Sequence, residues 1–210
     1  VGALVEIGDP DTGDSFTASI SSTTNGVILS IVEKVDNAKT DVSITLLCAL
    51  CKGQKNELIC DWATELGCTQ IIFWQSDRSI VRLKSEDDTT AKAQKFSKAA
   101  LAAAQQSRQV RPPKVHVATS LKKALELTST GDAGLRVCCS LEHDAPPLSE
   151  IASSLKPADQ VFIVIGPEGD LTPEEVETLK NNGFKAASLG RQVLRSELAA
   201  VTAIVTIFTR

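Results

Sequence analysis

The sequence predicts an α/β fold, a mostly parallel sheet covered by helices on both faces and preceded by a small β segment. Three observations carry this prediction. Turn chemistry and β-rich runs fill residues 1–35, short apolar runs alternate with helical patterns from Val42 onward, and the last helical stretch is apolar nearly all round. With 210 residues the chain can bury a sizeable core, and 42% apolar against 23% charged residues excludes a disordered class. No run approaches the roughly 20 uninterrupted apolar residues of a membrane span.

In the first segment, Asp9-Pro10-Asp11-Thr12-Gly13-Asp14 and Thr23-Thr24-Asn25-Gly26 are turn sequences, and Asn25-Gly26 is a hairpin signal. Phe16–Ile20 and Val27–Val32 read as strands, and polar residues 33–41 read as a linker. Some 35 residues cannot close a barrel, so this segment is expected to be the remnant of a small β domain spanning residues 1–36, with an α/β domain over 37–210. The sequence contains no Met, which predicts a piece of a longer chain or one from which modified residues were dropped.

The second segment opens with a strand over Val42–Leu50. A helix over Asn56–Leu66 follows, with Leu58, Ile59, Trp62, Ala63 and Leu66 on one face and Gly67 as its stop. A strand at Thr69–Gln75 precedes an Ala-rich helix over Asp88–Gln106. Val115–Ala118 is a strand, Ser120–Leu127 a helix, Leu135–Leu141 a buried strand and Ser149–Leu155 a helix. Val161–Ile165 is five consecutive apolar residues, the pattern of a strand covered on both faces. Thr172-Pro173-Glu174-Glu175 then opens a helix with an N-cap Thr, Pro at the first helical position and Glu three residues after the cap. Gly183 ends that helix, Ala186–Leu189 is the last strand, and Ser196–Phe208 closes the chain. This closing helix is expected to be buried on more than one side, hence at a subunit interface.

The chemistry is narrowed first by exclusion. There is no phosphate-binding P-loop, no dinucleotide fingerprint and no nucleophile elbow. His116 lies in a short apolar strand and reads as structural. Cys48 and Cys51 share a C-x2-C spacing, but they sit in an apolar run and lack a second such pair, so buried thiols are expected and no metal. The start Val1-Gly2-Ala3-Leu4 has no basic leader, and a reducing cytoplasmic setting, or an organelle after removal of a transit peptide, is expected. The net charge of −4 hides a basic middle: residues 37–115 carry twelve Lys and Arg against eight Asp and Glu. Lys92, Lys95 and Lys98 there read as the wet face of a helix.

Two segments remain. Ile165-Gly166-Pro167-Glu168-Gly169-Asp170 runs from the buried strand into a Gly-bounded turn, where ligands of open α/β sheets bind. Ser188-Leu189-Gly190 and Leu194-Arg195-Ser196-Glu197-Leu198-Ala199 lie between the last strand and the closing helix. In this order and spacing they resemble the SPOUT class of RNA methyltransferases, most closely the ribosomal small-subunit (16S) uridine-N3 methyltransferases. The family pattern has isoleucine-Gly-Pro-Glu-Gly-Gly, serine-leucine-Gly and leucine-Arg-Thr-Glu-Thr-Ala at these places. Lys52-Gly53-Gln54-Lys55, Ala63-Thr64-Glu65-Leu66-Gly67, Arg78-Ser79 and Ala104-Gln105-Gln106-Ser107 are also similar, and the resemblance spans Val42 to Phe208. The sequence departs from the pattern at Asp170 for Gly, Arg191-Gln192 for Pro-Arg and Leu198 for Thr, and Arg108-Gln109 stands where Gly-Arg is usual.

The resemblance implies a trefoil-knotted methyltransferase domain, a preceding PUA-like β-barrel, a homodimer, and S-adenosylmethionine held by the knot loops. It implies methylation of a uridine N3 in small-subunit rRNA, with that rRNA or the ribosomal subunit as partner. Carried over residue by residue, Leu141, Ile165, Gly166, Pro167, Glu168, Gly169, Leu189, Gly190, Val193 and Leu194 would line the cofactor site. Arg195 would contact the base or its phosphate, and Glu197 would position groups or accept a proton. Lys52, Lys55, Arg78, Arg108 and Arg111 would meet RNA phosphates. With no Tyr and few aromatics, a base-stacking platform is not expected. The departures motivate a second reading, a domain of this class that holds RNA or cofactor without methyl transfer.

Overall fold

The computed structural model describes residues 1–35, 42–128, 134–139, 144–156 and 159–209. The first segment is a three-stranded antiparallel sheet of β1 (Leu4–Gly8), β2 (Ser15–Ser22) and β3 (Ile28–Val35), in that order. Strand β1 has no separate signal in the sequence pattern. Strand β3 continues through Glu33 and Lys34, which pair with Thr17 and Phe16, so the start of the expected linker is strand. Both are exposed although they point to opposite faces, so polar residues are tolerated on either side of the strand there, and Lys34 forms an ion pair with Asp14 at 2.8 Å. The expected domain boundary lies outside the described residues.

A six-stranded sheet follows, built from β4 (Ser43–Ala49), β5 (Gln70–Trp74), β6 (Lys114–Ala118), β7 (Leu135–Cys139), β8 (Gln160–Ile165) and β9 (Lys185–Ala187). Its order is β6-β5-β4-β8-β7-β9, and every pairing is parallel. Neighbouring strand residues point to opposite faces, which divides the core in two. Leu46, Ile71 and Ile163 join one cluster, while Leu47, Ile72 and Val164 join the other. Helices α1 (Lys55–Glu65), α2 (Glu86–Gln106), α4 (Leu148–Ala152) and α6 (Ser196–Phe208) contribute to the first cluster. Helices α3 (Leu121–Glu126) and α5 (Pro173–Asn181) contribute to the second. Cys138 packs in the second cluster and Cys139 against the first, as alternation in a strand requires.

Two helices differ from their sequence pattern. The buried face of α1 is Asn56, Ile59, Cys60, Ala63 and Thr64, whereas Leu58 is exposed. Polar Asn56 turns inward because its amide oxygen accepts from Cys51 N–H at 2.9 Å and its amide nitrogen donates to Cys51 O at 2.8 Å. Thr64 is satisfied by donating to Cys60 O. Within this chain α6 is covered on one side only, and Leu198, Val205 and Phe208 stand exposed.

The antiparallel sheet is bolted to the turn after α2. Arg111 Nε donates to Pro10 O at 3.1 Å and its Nη2 to Asp11 O at 2.8 Å. Gly8 passes so close to Val110 that an added Cβ would come within 2.8 Å of its Cγ1. Arg111→Ala is expected to free the 9–14 turn, with hydrogen exchange in residues 1–35 rising about tenfold while β4 and β8 stay protected. Unchanged exchange there would show that the bolt lies elsewhere.

Candidate active site

Strand β8 lies between β4 and β7 and is fully covered from Val161 to Ile165. At its carboxyl end the chain turns at Gly166, where an added Cβ would sit 3.2 Å from Leu171 Cγ. Asp170 N–H donates to Pro167 O at 3.0 Å, and Asp170 Oδ1 accepts from Leu171 N–H at 2.8 Å, which closes the turn. Asp170 holds a left-handed φ of 60°. Asp and Asn tolerate that region better than other non-glycine residues because the short polar side chain bonds locally.

The loop after β9 is tied to the loop before α4. Ser188 N–H donates to Pro146 O and Leu148 N–H donates to Ser188 O, both at 2.9 Å. Beyond it, Gly190 adopts a φ of 123° that a side chain would strain. The 166–170 and 188–196 segments meet around a cleft of about 860 Å³. Ile165, Leu189, Val193, Leu194 and Ala199 supply apolar walls, while Glu168, Asp170, Arg191 and Arg195 supply charge. Apolar walls with exposed backbone groups suit an adenine ring, and the carboxylates suit a cationic sulfonium. The donor set therefore fits S-adenosylmethionine.

Beneath the cleft, Lys55 Nζ lies 3.0 Å from Glu168 Oε1 and 3.3 Å from Glu197 Oε2. Lys52 N–H also donates to Glu168 Oε1, at 3.3 Å. Burial pushes the Glu168 carboxyl up, but Lys55, its own backbone amide and Lys52 N–H outweigh this and hold it below its ordinary value. The bond to Glu168 in turn raises the Lys55 ammonium. The adjacent thiol of Cys48 is pushed up by its hydrogen bond with Cys51 and by burial, so it stays protonated.

A third support comes from α5. Its capping box is complete, with Thr172 Oγ1 accepting from Glu175 N–H and Glu175 Oε2 accepting from Thr172 N–H. The same buried carboxylate accepts from Ser76 Oγ at 3.0 Å and Asp77 N–H at 3.1 Å. Arg78 then reaches from that loop to Gly169 O at 3.2 Å and Leu171 O at 3.1 Å.

The RNA methyltransferase domain family matches residues 38–208. This chain belongs to that family. Ribosomal RNA small subunit methyltransferase E of Bacillus subtilis is 33% identical to this family member over 173 residues, which cover 80% of this chain and 66% of the relative. The protein of the same name from Rickettsia conorii is 30% identical, with 92% of this chain and 75% of the relative covered. The domain thus spans about two thirds to three quarters of these relatives' lengths. The crystal structure of ribosomal RNA small subunit methyltransferase E from Neisseria gonorrhoeae, bound to S-adenosyl methionine, superposes with a TM-score of 0.84. It covers 99% of this chain and 83% of that one at 22% identity, a likeness of fold.

In this RNA methyltransferase domain, eight of the residues expected at the cofactor line the cleft: Ile165, Gly166, Pro167, Glu168, Leu189, Gly190, Val193 and Leu194. Gly169 instead packs on Arg78, whose Cβ would lie 3.2 Å from a Cβ at that position. Leu141 lies outside the described residues. Arg195 lines the cleft, whereas Glu197 does not; its carboxylate turns to Lys55. Of the residues expected at phosphates, Lys55 sits between two carboxylates, and Arg78 and Arg111 bond to main-chain carbonyls. Arg108 lies 3.6 Å from Glu6 and remains largely exposed, as does Lys52. Sequence reasoning missed Cys139, Ala145 and Pro147, which reach the cleft from β7 and the loop before α4. The long-range Pro147–Ser188 bridge brings that loop in, and it leaves no local sequence signal.

Proposed function

We propose that this protein methylates N3 of a uridine in small-subunit rRNA, using S-adenosylmethionine. The carrying observation is the cleft itself: two family motifs, at 166–170 and 188–196, converge on one apolar, carboxylate-bearing pocket at the carboxyl ends of the strands. When bound, the cofactor supplies an electrophilic methyl group on a sulfonium. The chain's part is to hold and aim the acceptor. Uracil N3 must lose its proton before its lone pair can take the methyl, so the site has to favour the anion. Arg195, at the cap position of α6, lines the cleft, and its guanidinium has no ion-pair or hydrogen-bond partner among the described residues. It is thus available for O2 or O4 of the deprotonated base, where a preplaced cation contributes most. Alignment of the acceptor against the methyl supplies the orientation term.

We further propose a trefoil knot, a PUA-like barrel before it and a homodimer. The 188–190 loop tied beneath 146–148 supports a trefoil knot. The antiparallel sheet, with Leu4, Ile28, Ile31 and Val32 exposed, supports a place in a PUA-like β-barrel and a division near residue 36, since the family match begins at 38. The exposed Leu198, Val205 and Phe208 of α6 support a homodimer packed on that helix. Among the described residues no helix is long and apolar enough to cross a membrane, and six thiols suit a cytoplasmic setting.

The test is incorporation of labelled methyl into small ribosomal subunits from a strain lacking N3-methyluridine, followed by nucleoside mass spectrometry. Appearance of N3-methyluridine is the expected result. Cofactor binding by calorimetry without any incorporation would favour the non-catalytic reading.

A further inference from the structure

Three motifs with no sequence proximity meet at one ammonium group. Lys55 closes the Lys52–Lys55 motif at the start of α1, Glu168 lies in the turn after β8, and Glu197 lies in the first turn of α6. The side chains are 27%, 27% and 13% exposed, so the cluster is largely screened from water, most of all at Glu197. Glu197 Oε2 is buried and makes no hydrogen bond; its compensation among the described residues is Lys55 Nζ at 3.3 Å. A buried carboxylate oxygen without a hydrogen-bond donor depends on its counter-charge. Asn56 locks the main chain on both sides of Cys51, so the position of Lys55 is fixed from behind.

We propose that Lys55 is a positioning residue that clamps the two halves of the cofactor pouch together and sets its net charge. This rests on the cofactor reading given above and deepens it. By gripping Glu168, Lys55 holds the 166–170 turn; by gripping Glu197, it holds the start of α6, whose neighbours Arg195 and Ser196 line the cleft. Lys55 cancels one of two carboxylate charges. Its removal both loosens the pouch and leaves it one unit more negative, which opposes loss of a cationic ligand more than loss of a neutral one.

The experiment compares wild type, Lys55→Met, Lys55→Arg, Glu197→Gln and the Lys55→Met/Glu197→Gln double variant. Calorimetry is run with S-adenosylmethionine and with S-adenosylhomocysteine, which lacks the sulfonium charge, and thermal unfolding is followed without ligand. Lys55→Met is expected to weaken the thioether ligand about tenfold and the sulfonium ligand about threefold, while Lys55→Arg stays within about threefold of wild type for both. Melting should fall by about 4 °C in Lys55→Met and recover by about half in the double variant, since the neutral amide that replaces the Glu197 carboxylate needs no counter-charge. A residue that mattered only by packing would make the double variant worse than either single one. The proposal is overturned if Lys55→Met leaves both affinities and the melting temperature unchanged, as a surface phosphate contact would. If wild type binds neither ligand, the cofactor reading fails, and the unfolding cycle still decides the clamp: recovery in the double variant supports it, additive losses overturn it.

Discussion

Glu175→Ala is expected to lower the melting temperature by about 9 °C, the largest loss for any single polar residue here. Glu175 is 6% exposed, and its carboxylate accepts from Ser76 Oγ, Asp77 N–H and Thr172 N–H. Truncation leaves these donors without their acceptor, at about 1 kcal/mol each or more. The loss is also directional: it unties the 76–79 loop from α5, and with it the Arg78 bonds to Gly169 O and Leu171 O. Cofactor affinity should therefore fall with stability. Glu175→Gln, which keeps an acceptor at the cap, should lose less than half as much. Differential scanning calorimetry checks both; a drop under about 2 °C for the Ala variant would mean that water replaces the carboxylate at no cost.

Arg195→Ala is expected to reduce methyl incorporation by a factor of about 100 to 1,000, the range for deleting one preplaced group that stabilises a developing anion. The Arg195 guanidinium has no partner to lose among the described residues, so the variant should melt within about 1 °C of wild type. Its effect on cofactor affinity should stay within about threefold, since the guanidinium is assigned to the base. Lys should restore part of the activity, because it supplies charge without the planar fork. Incorporation at the wild-type rate would remove Arg195 from the chemistry. A large loss of cofactor affinity would instead move it into the cofactor site.

The two departures from family glycines bear on how sequence maps to backbone. Arg108 and Asp170, read from the sequence as replacing glycines of the pattern it resembles, are, among the described residues, the non-glycine residues with positive φ, at 58° and 60°. Each holds the left-handed conformation that favours glycine, and the side chain bears the strain, about 1 kcal/mol or somewhat more at each. Asp170 offsets part of this through its bond to Leu171 N–H.

Local chemistry made much of the fold legible. The apolar run Val161–Ile165, the cap Thr172-Pro173 and the Ala-rich helix each announce their element, because periodicity and capping act within a few residues. The α1 face escapes the pattern because Asn56 and Thr64 count as polar there, yet are satisfied by the main chain when buried. Polar Glu33 and Lys34 mislead in the opposite sense, since a strand exposed on both faces needs no apolar residues there.

By itself the sequence determined the α/β class, the two loops that make the cleft, and membership in an RNA methyltransferase family. Turn glycines, buried strands and caps are properties of short segments, and motif order survives without coordinates. Only the tertiary structure decided which charged groups face the cleft and which hold it together. Lys55 is 113 residues from Glu168 along the chain, and an ion pair depends on distance in space. Nothing local to either motif could assign Lys55 to a pair of carboxylates rather than to a phosphate, or turn Glu197 away from the cleft.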